Sequence, residues 1–176
     1  MTGNLTAIEH KLDLRTRVCR VVIETPRHGR TKYAYSPDLA AFQMKKLLPE
    51  GMSFPLDFGF VPATRGGDGD PLDVLVLHDE PIPMGAIVPV RLIGLMEACQ
   101  TQDGDTARND RLIAVTTKSQ LYRAFDAVEE LGGEFMEHLQ QFFVNYNALQ
   151  GRSFEVLQIC GPDRAAEAVL KASVRS

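Results

Sequence analysis

The stretch Glu134–Leu149, EFMEHLQQFFVNYNAL, decides the fold class, because the apolar period changes there. Phe135, Leu139, Phe142, Tyr146 and Leu149 recur at spacings of four, three, four and three. That rhythm puts them on one face of a helix. Gly132-Gly133 breaks the chain before it and Gly151 ends it. Ahead of the break, Ser119 can cap a short helix to about Glu130. Further upstream the pattern is different. Arg17–Thr25, RVCRVVIET, is rich in β-branched residues and reads as a strand. Thr31–Tyr35, Leu72–Leu77, Ile87–Met96 and Arg111–Thr116 read likewise. The polar run Gln100–Asp110, QTQDGDTARND, reads as a loop turning at Gly104. Downstream, Phe154–Ile159 returns to strand, and Pro162 opens a last helix to about Lys171. Short strands first, then helix, strand and helix, predict an α+β fold with a small β-barrel core.

Composition narrows the rest. The chain has 176 residues, 44% hydrophobic and 24% charged, which suits one domain over 1–176 with residues 1–15 as a loosely attached leader. No apolar run approaches the roughly 20 residues that span a bilayer, and the start lacks a signal-type apolar stretch, so no membrane partner is expected. With 19 basic against 23 acidic residues the net charge is −4, a poor balance for a nucleic-acid partner. Cys19, Cys99 and Cys160 form no metal-type cluster and no CxxC pair. They read as reduced cysteines in a cytoplasmic setting. The four histidines show no metal-ligand spacing.

The chemistry is concentrated at Gly66-Gly67-Asp68-Gly69-Asp70-Pro71-Leu72-Asp73, followed by Val74-Leu75-Val76-Leu77. In an extended stretch Asp68 and Asp70 project to the same side, and Asp73 reaches the same place from the strand entrance. Two carboxylates about 5 Å apart repel by roughly 3 kcal/mol at an effective dielectric of 20. Such a turn wants a cation, and oxygen-only ligands select hard ions, Mg²⁺ or Mn²⁺. An EF-hand loop is excluded, because Leu72 and Asp73 stand where that loop needs a ligand and a glycine. The competing reading makes these aspartates solvated turn formers.

With this turn in view, the chain resembles the soluble family I inorganic pyrophosphatases. DGDPLDVLVL is similar to that family's metal-binding signature. The resemblance extends through VVIETP with Glu24, Lys32-Tyr33, LPEGMSFPLDFGFVP over Leu48–Pro62, and FFVNY over Phe142–Tyr146. It implies a small OB-like five-stranded β-barrel with flanking C-terminal helices. It also implies Mg²⁺-dependent hydrolysis of pyrophosphate to two phosphates, and a homo-oligomer, hexameric in bacterial members. Carried over by position, Asp68 and Asp73 resemble metal ligands, Asp70 the aspartate that orients or deprotonates the attacking water, and Glu24 an outer carboxylate. Lys32, Lys46 and Tyr146 resemble phosphate-binding residues, and Arg111 stands at a lysine position.

The second acidic loop of the family falls in 103–110, where Asp103, Asp105 and Asp110 are the candidates. The best register for one metal aspartate falls on Asn109 or Asp110. Other positions depart from the family pattern. Ala34 stands where a glutamate is usual, Lys46 where an arginine is usual, Phe58 and Phe54 in place of tyrosines, and Asn147 in place of a lysine that Arg152 or Arg65 could replace. These departures keep two alternatives open: another metal-dependent phosphohydrolase on this scaffold, or a non-catalytic module for metal or phosphate.

Overall fold

In the first strand, β1 (Val18–Thr25), Val21, Val22 and Ile23 have no exposed surface, as expected of a strand covered on both faces. The computed structural model describes residues 3–174. Met1 and Thr2 of the expected leader, and the last two residues of the expected 1–176 domain, lie outside the described residues. The remaining strands are β2 (Thr31–Ser36), β3 (Ala41–Leu47), β4 (Asp57–Phe60), β5 (Asp73–Leu77), β6 (Ile87–Gln102), β7 (Asp105–Arg108), β8 (Arg111–Thr116) and β9 (Ser153–Cys160). Two helices follow the barrel strands: α1 (Gly133–Ala148) and α2 (Pro162–Ala172).

Five strands close on themselves in the order β1, β4, β5, β8, β6 and back to β1. All contacts around the ring are antiparallel except β5 on β8, which is parallel. Closure removes the exposed edges that a flat sheet would present. The long β6 runs past the ring and carries β7 and β9 on its extension. The β2–β3 hairpin forms a separate two-stranded sheet. Side chains along β5 alternate between two cores. Leu75 and Leu77 join Phe54, Phe58, Ile113 and the α1 residues Leu139 and Phe143. Val74 and Val76 join Val21, Ile23, Leu112 and the α2 residues Ala165 and Val169. Each helix therefore closes one core with its apolar stripe. Gly59 of β4 lies opposite Ile23 of β1, and a Cβ there would collide with the backbone of Val22. Only glycine lets these two strands approach so closely.

The expected α+β barrel is present, with three strands that periodicity did not reveal: β3, β4 and β7. Asp103 and Gly104 have φ of 53° and 84°, so the polar run 100–110 is a two-residue hairpin between β6 and β7 rather than a loop. The helix expected from Ser119 to about Glu130 does not form, and only a short 3-10 turn spans Val128–Leu131. Distant groups take up this backbone instead. Asp79 accepts hydrogen bonds from the N–H groups of Gln120 and Leu121, and Arg91 donates to the carbonyls of Arg123 and Phe125. The buried stripe of α1 is Met136, Leu139, Phe143 and Asn147. Phe135 and Leu149, expected on that stripe, are exposed, while Phe142 and Tyr146 pack at its margin. The leader carries a 3-10 turn, Leu5–Ala7, capped by Asn4. The Thr6 carbonyl accepts from Ala63 N–H, the Leu5 N–H donates to Tyr35 Oη, and the His10 carbonyl accepts from Arg20 N–H.

Candidate functional site

The acidic turn is built locally. Gly66 N–H donates to the Asp70 carbonyl at 2.6 Å, Gly69 N–H to the Gly66 carbonyl, and Asp70 N–H to Asp68 Oδ1 at 3.1 Å. Gly69 has φ 91°, which favours glycine there. Thr64 Oγ1, itself bonded to the Val61 carbonyl, accepts from Leu72 N–H and so fastens the turn to the barrel. The turn then delivers Asp73 as the first residue of β5.

These carboxylates open on a cleft of about 530 Å³ between the barrel, the β2–β3 hairpin and the end of α1. Asp68, Asp70 and Asp73 line one side, with Glu24 deeper. Lys32, Arg111, Arg152 and Tyr146 line the other parts, together with Gln100, Asn109 and the leader residue Thr6. Two of the four carboxylates already have counterions. Asp73 Oδ2 lies 3.0 Å from Arg111 Nη1, and Glu24 Oε2 lies 3.7 Å from Lys32 Nζ. Glu24 Oε1 also accepts from the Tyr35 N–H at 2.7 Å. The Lys32 ammonium sits 3.4 Å from the centroid of the Phe58 ring. Burial pushes Glu24 and Asp73 above the usual carboxylate range and Lys32 below the usual lysine range; the attraction within each pair opposes both shifts. Asp68 is also raised, first by burial, then with a contribution from the negative charges of Asp73 and Asp70.

Arg111, 3% exposed, is held from several sides. Its Nη1 also donates to Asn109 Oδ1 at 2.6 Å and to the Asn109 carbonyl at 2.9 Å. Its guanidinium lies 4.8 Å and 5.0 Å from the ring centroids of Phe143 and Phe154. That cation–π packing fixes a charge under the cleft floor.

Of the residues that sequence reasoning proposed, Asp68, Asp70, Asp73, Glu24, Lys32, Tyr146 and Arg111 share the cleft. Asp103, Asp105, Asp110 and Lys46 do not line it, and Asp105 is exposed at the start of β7. Asp103 sits in the β6–β7 hairpin turn, exposed. Asp110 lines instead a small neighbouring cavity shared with Asp68 and Asp73, accepting from Arg108 Nε at 3.1 Å and from Ala98 N–H at 2.9 Å. Lys46 lies against the face of Tyr146, its Nζ 3.7 Å from the ring centroid and without a hydrogen-bond partner. Of the two registers left open for the second loop, Asn109 is the one that faces the cleft, and its Nδ2 donates to Gln100 Oε1 at 2.9 Å. Gln100 and Thr6 went unnoticed in the sequence, because nothing local marks an isolated amide or hydroxyl as part of a site.

Asp68, Asp70 and the remaining oxygen of Asp73 are the groups suited to a cation. All donors are oxygens, and among the described residues the exposed Asp68 carboxylate has no cationic partner. Among the described residues no three His, Cys, Asp or Glu side chains are grouped at metal-holding distance.

Residues 21–176 match the family described as Inorganic pyrophosphatase. The chain belongs to the inorganic pyrophosphatase family. The inorganic pyrophosphatase of Thermus thermophilus is 34% identical over 149 residues, 85% of this chain and 83% of that one. The inorganic pyrophosphatase of Methanosarcina acetivorans is 30% identical over 165 residues, 93% of this chain and 96% of its own. The crystal structure of the Thermus thermophilus pyrophosphatase superimposes with a TM-score of 0.88 at 31% identity, covering 97% of both chains. The pyrophosphatase barrel is thus shared along nearly the whole chain, including the elements that frame the cleft.

Proposed function

We propose that this chain hydrolyses inorganic pyrophosphate to two phosphates in the cleft between the acidic turn and the cationic wall. The observation that carries the reading is the gathering of Asp68, Asp70 and Asp73 in one cavity with Lys32, Arg111 and Arg152. A diphosphate is polyanionic, so the cationic wall can hold its phosphates while the acidic turn faces the attacking water. Asp68, Asp70 and Asp73 are the residues to hold Mg²⁺, or Mn²⁺ in its place. When bound, such an ion neutralises phosphate oxygens and lowers the pKa of water. Asp70, exposed at the tip of the turn, accepts the proton of the attacking water. Lys32 and Tyr146 offset charge on the phosphates. Arg111, anchored by Asp73 and Asn109, holds its charge in place before substrate arrives.

Phosphate release from pyrophosphate with Mg²⁺, repeated with EDTA, tests the reading. Release with Mg²⁺ that stops with EDTA supports it; no release in either case overturns it. Cytoplasmic location and self-association belong to the same reading. Free Cys19, Cys99 and Cys160 suit a reducing compartment, and exposed Met44, Leu47 and Leu121 suit contact between copies. No helix of the described residues is long and apolar enough to cross a membrane.

One observation favours a second reading. Asn109 and Gln100 put a neutral amide pair on the wall where further carboxylates would hold more cations. In that reading the cleft binds an oxyanion and a cation with little turnover, or prefers another phosphate compound. Pyrophosphate split no faster than nucleotide or sugar phosphates would favour it.

A further inference from the structure

Two neutral amides line one part of the cleft, and a buried cation sets which way they point. Arg111 Nη1 donates to Asn109 Oδ1 at 2.6 Å. A guanidinium only donates, so the oxygen of this amide must face Arg111 and its Nδ2 must face away. Nδ2 also only donates, and it meets Gln100 Oε1 at 2.9 Å. The chain of hydrogen bonds therefore ends on Gln100 Nε2, a donor that finds no acceptor among the described residues. The backbone keeps this chain in place. Asn109 N–H donates to the Ala98 carbonyl, and the Asn109 carbonyl accepts from Arg111 at 2.9 Å. Gln100 stands in β6 between two neighbours, paired with Ala107 of β7 and Phe154 of β9.

This wall is unsuited to a cation. Both amide oxygens already accept, and the group left over is an NH₂. The carboxylates near it in the chain are engaged as well: Asp110 with Arg108, and Glu97 of β6 with Arg108 and Arg164. A cation approaching here meets amide hydrogens and, behind them, the fixed charge of Arg111. The charges that line the whole cleft point the same way. Glu24, Asp68, Asp70 and Asp73 stand against Lys32, Lys45, Arg111 and Arg152, so the lining is neutral before any ion enters. One divalent cation on the acidic turn makes it positive, and a second finds no negative charge to offset it.

We propose that Gln100 is a substrate-binding residue: its Nε2 amide, aimed by Arg111 through Asn109, donates to an oxygen of the bound anion, and the free cleft holds one divalent cation only. The proposal rests on the reading of the cleft as a site for a diphosphate and a cation, and it assigns this wall to the anion.

Mn²⁺ alone, titrated into the full chain and counted by the paramagnetic resonance of the unbound ion, gives the first readout. The second is methylenediphosphonate, a diphosphate with a carbon bridge, titrated calorimetrically with Mg²⁺ present. The variants are Gln100→Leu, which removes the donor, and Gln100→Glu, which replaces it with a carboxylate oxygen; thermal unfolding checks both. We expect one Mn²⁺ per chain in wild type and two in Gln100→Glu. Gln100→Leu should keep one Mn²⁺ and bind methylenediphosphonate about tenfold more weakly. Two or more Mn²⁺ per wild-type chain overturn the proposal. So does a folded Gln100→Glu whose count stays at one, or a folded Gln100→Leu whose affinity for the diphosphonate is within twofold of wild type. Should neither variant fold, the wild-type count decides alone. The two readings fail separately. One Mn²⁺ and Gln100-dependent anion binding without phosphate release from pyrophosphate remove only the hydrolase, and pyrophosphate hydrolysis by a chain that holds two Mn²⁺ removes only this proposal.

Discussion

Asp73 and Arg111 face each other as the first residues of two parallel neighbours, β5 and β8, with Oδ2 3.0 Å from Nη1. This pair sets one carboxylate at the cleft and neutralises part of it from within. Arg111→Gln leaves Asp73 without its counterion in a largely buried position. We expect a loss of about 3 kcal/mol in chemical denaturation. A divalent cation should restore part of it, so millimolar Mg²⁺ stabilises the variant more than wild type. Equal Mg²⁺ responses would show that Asp73 does not hold the ion.

Asp70 is exposed at the tip of its turn and accepts none of the hydrogen bonds that build the turn through its side chain. Asp70→Asn should therefore keep the fold and its thermal midpoint. Turnover should fall by about 10² or more if the carboxylate accepts the proton of water. A kcat within threefold of wild type removes Asp70 from that role.

The acidic turn and α1 were legible because their signals are local: three aspartates with glycines, and an apolar period of 3.6. The ring of strands was legible only in outline. β4 is four residues long and contains Gly59, too short and too interrupted to show a period. The second loop was not legible, because hairpin register decides which side chains face the cleft. With Asp103-Gly104 as the turn, Cys99 pairs with Arg108 and Gln100 with Ala107. A shift by one residue would send the alternate set inward. Asp110, the more obvious ligand by type, is captured by Arg108 and Ala98, and Asn109 remains at the cleft. The failed helix at Ser119–Glu130 has the same origin, since Asp79 and Arg91 act from positions far away in sequence.

Lys46 gives a pH signature. Burial, and then the positive charges of Arg152 and Lys32, lower its folded pKa from 10.5 to about 8, so between these values the unfolded chain binds more protons than the folded one. Stability contributed by this residue therefore rises as pH climbs through that window. Relative to Lys46→Met, wild type should gain stability from pH 7 to pH 10.5, read by denaturant midpoints at each pH. A flat difference would mean that Lys46 keeps its proton.

Gly59 is where the barrel has least room. A methyl group there meets the backbone of Val22, which cannot move without breaking the β1–β4 ladder. Gly59→Ala should cost about 3 kcal/mol, the upper part of the overpacking range. Because Phe58 beside it carries Lys32 on its ring, the same change should also raise KM for pyrophosphate. A neutral effect on stability would mean that the ring can widen at this point.

Closure of the ring has a consequence for synthesis on the ribosome. β8 is inserted between β5 and β6, and its first residue stands 38 positions after Asp73. Until Arg111 leaves the exit tunnel, a nascent chain carries the finished acidic turn on a sheet with two open borders. Those borders can recruit a strand from another chain. Fragments that stop short of β8 are therefore expected to aggregate, and the strand that supplies the site's buried arginine is also the one that seals the molecule.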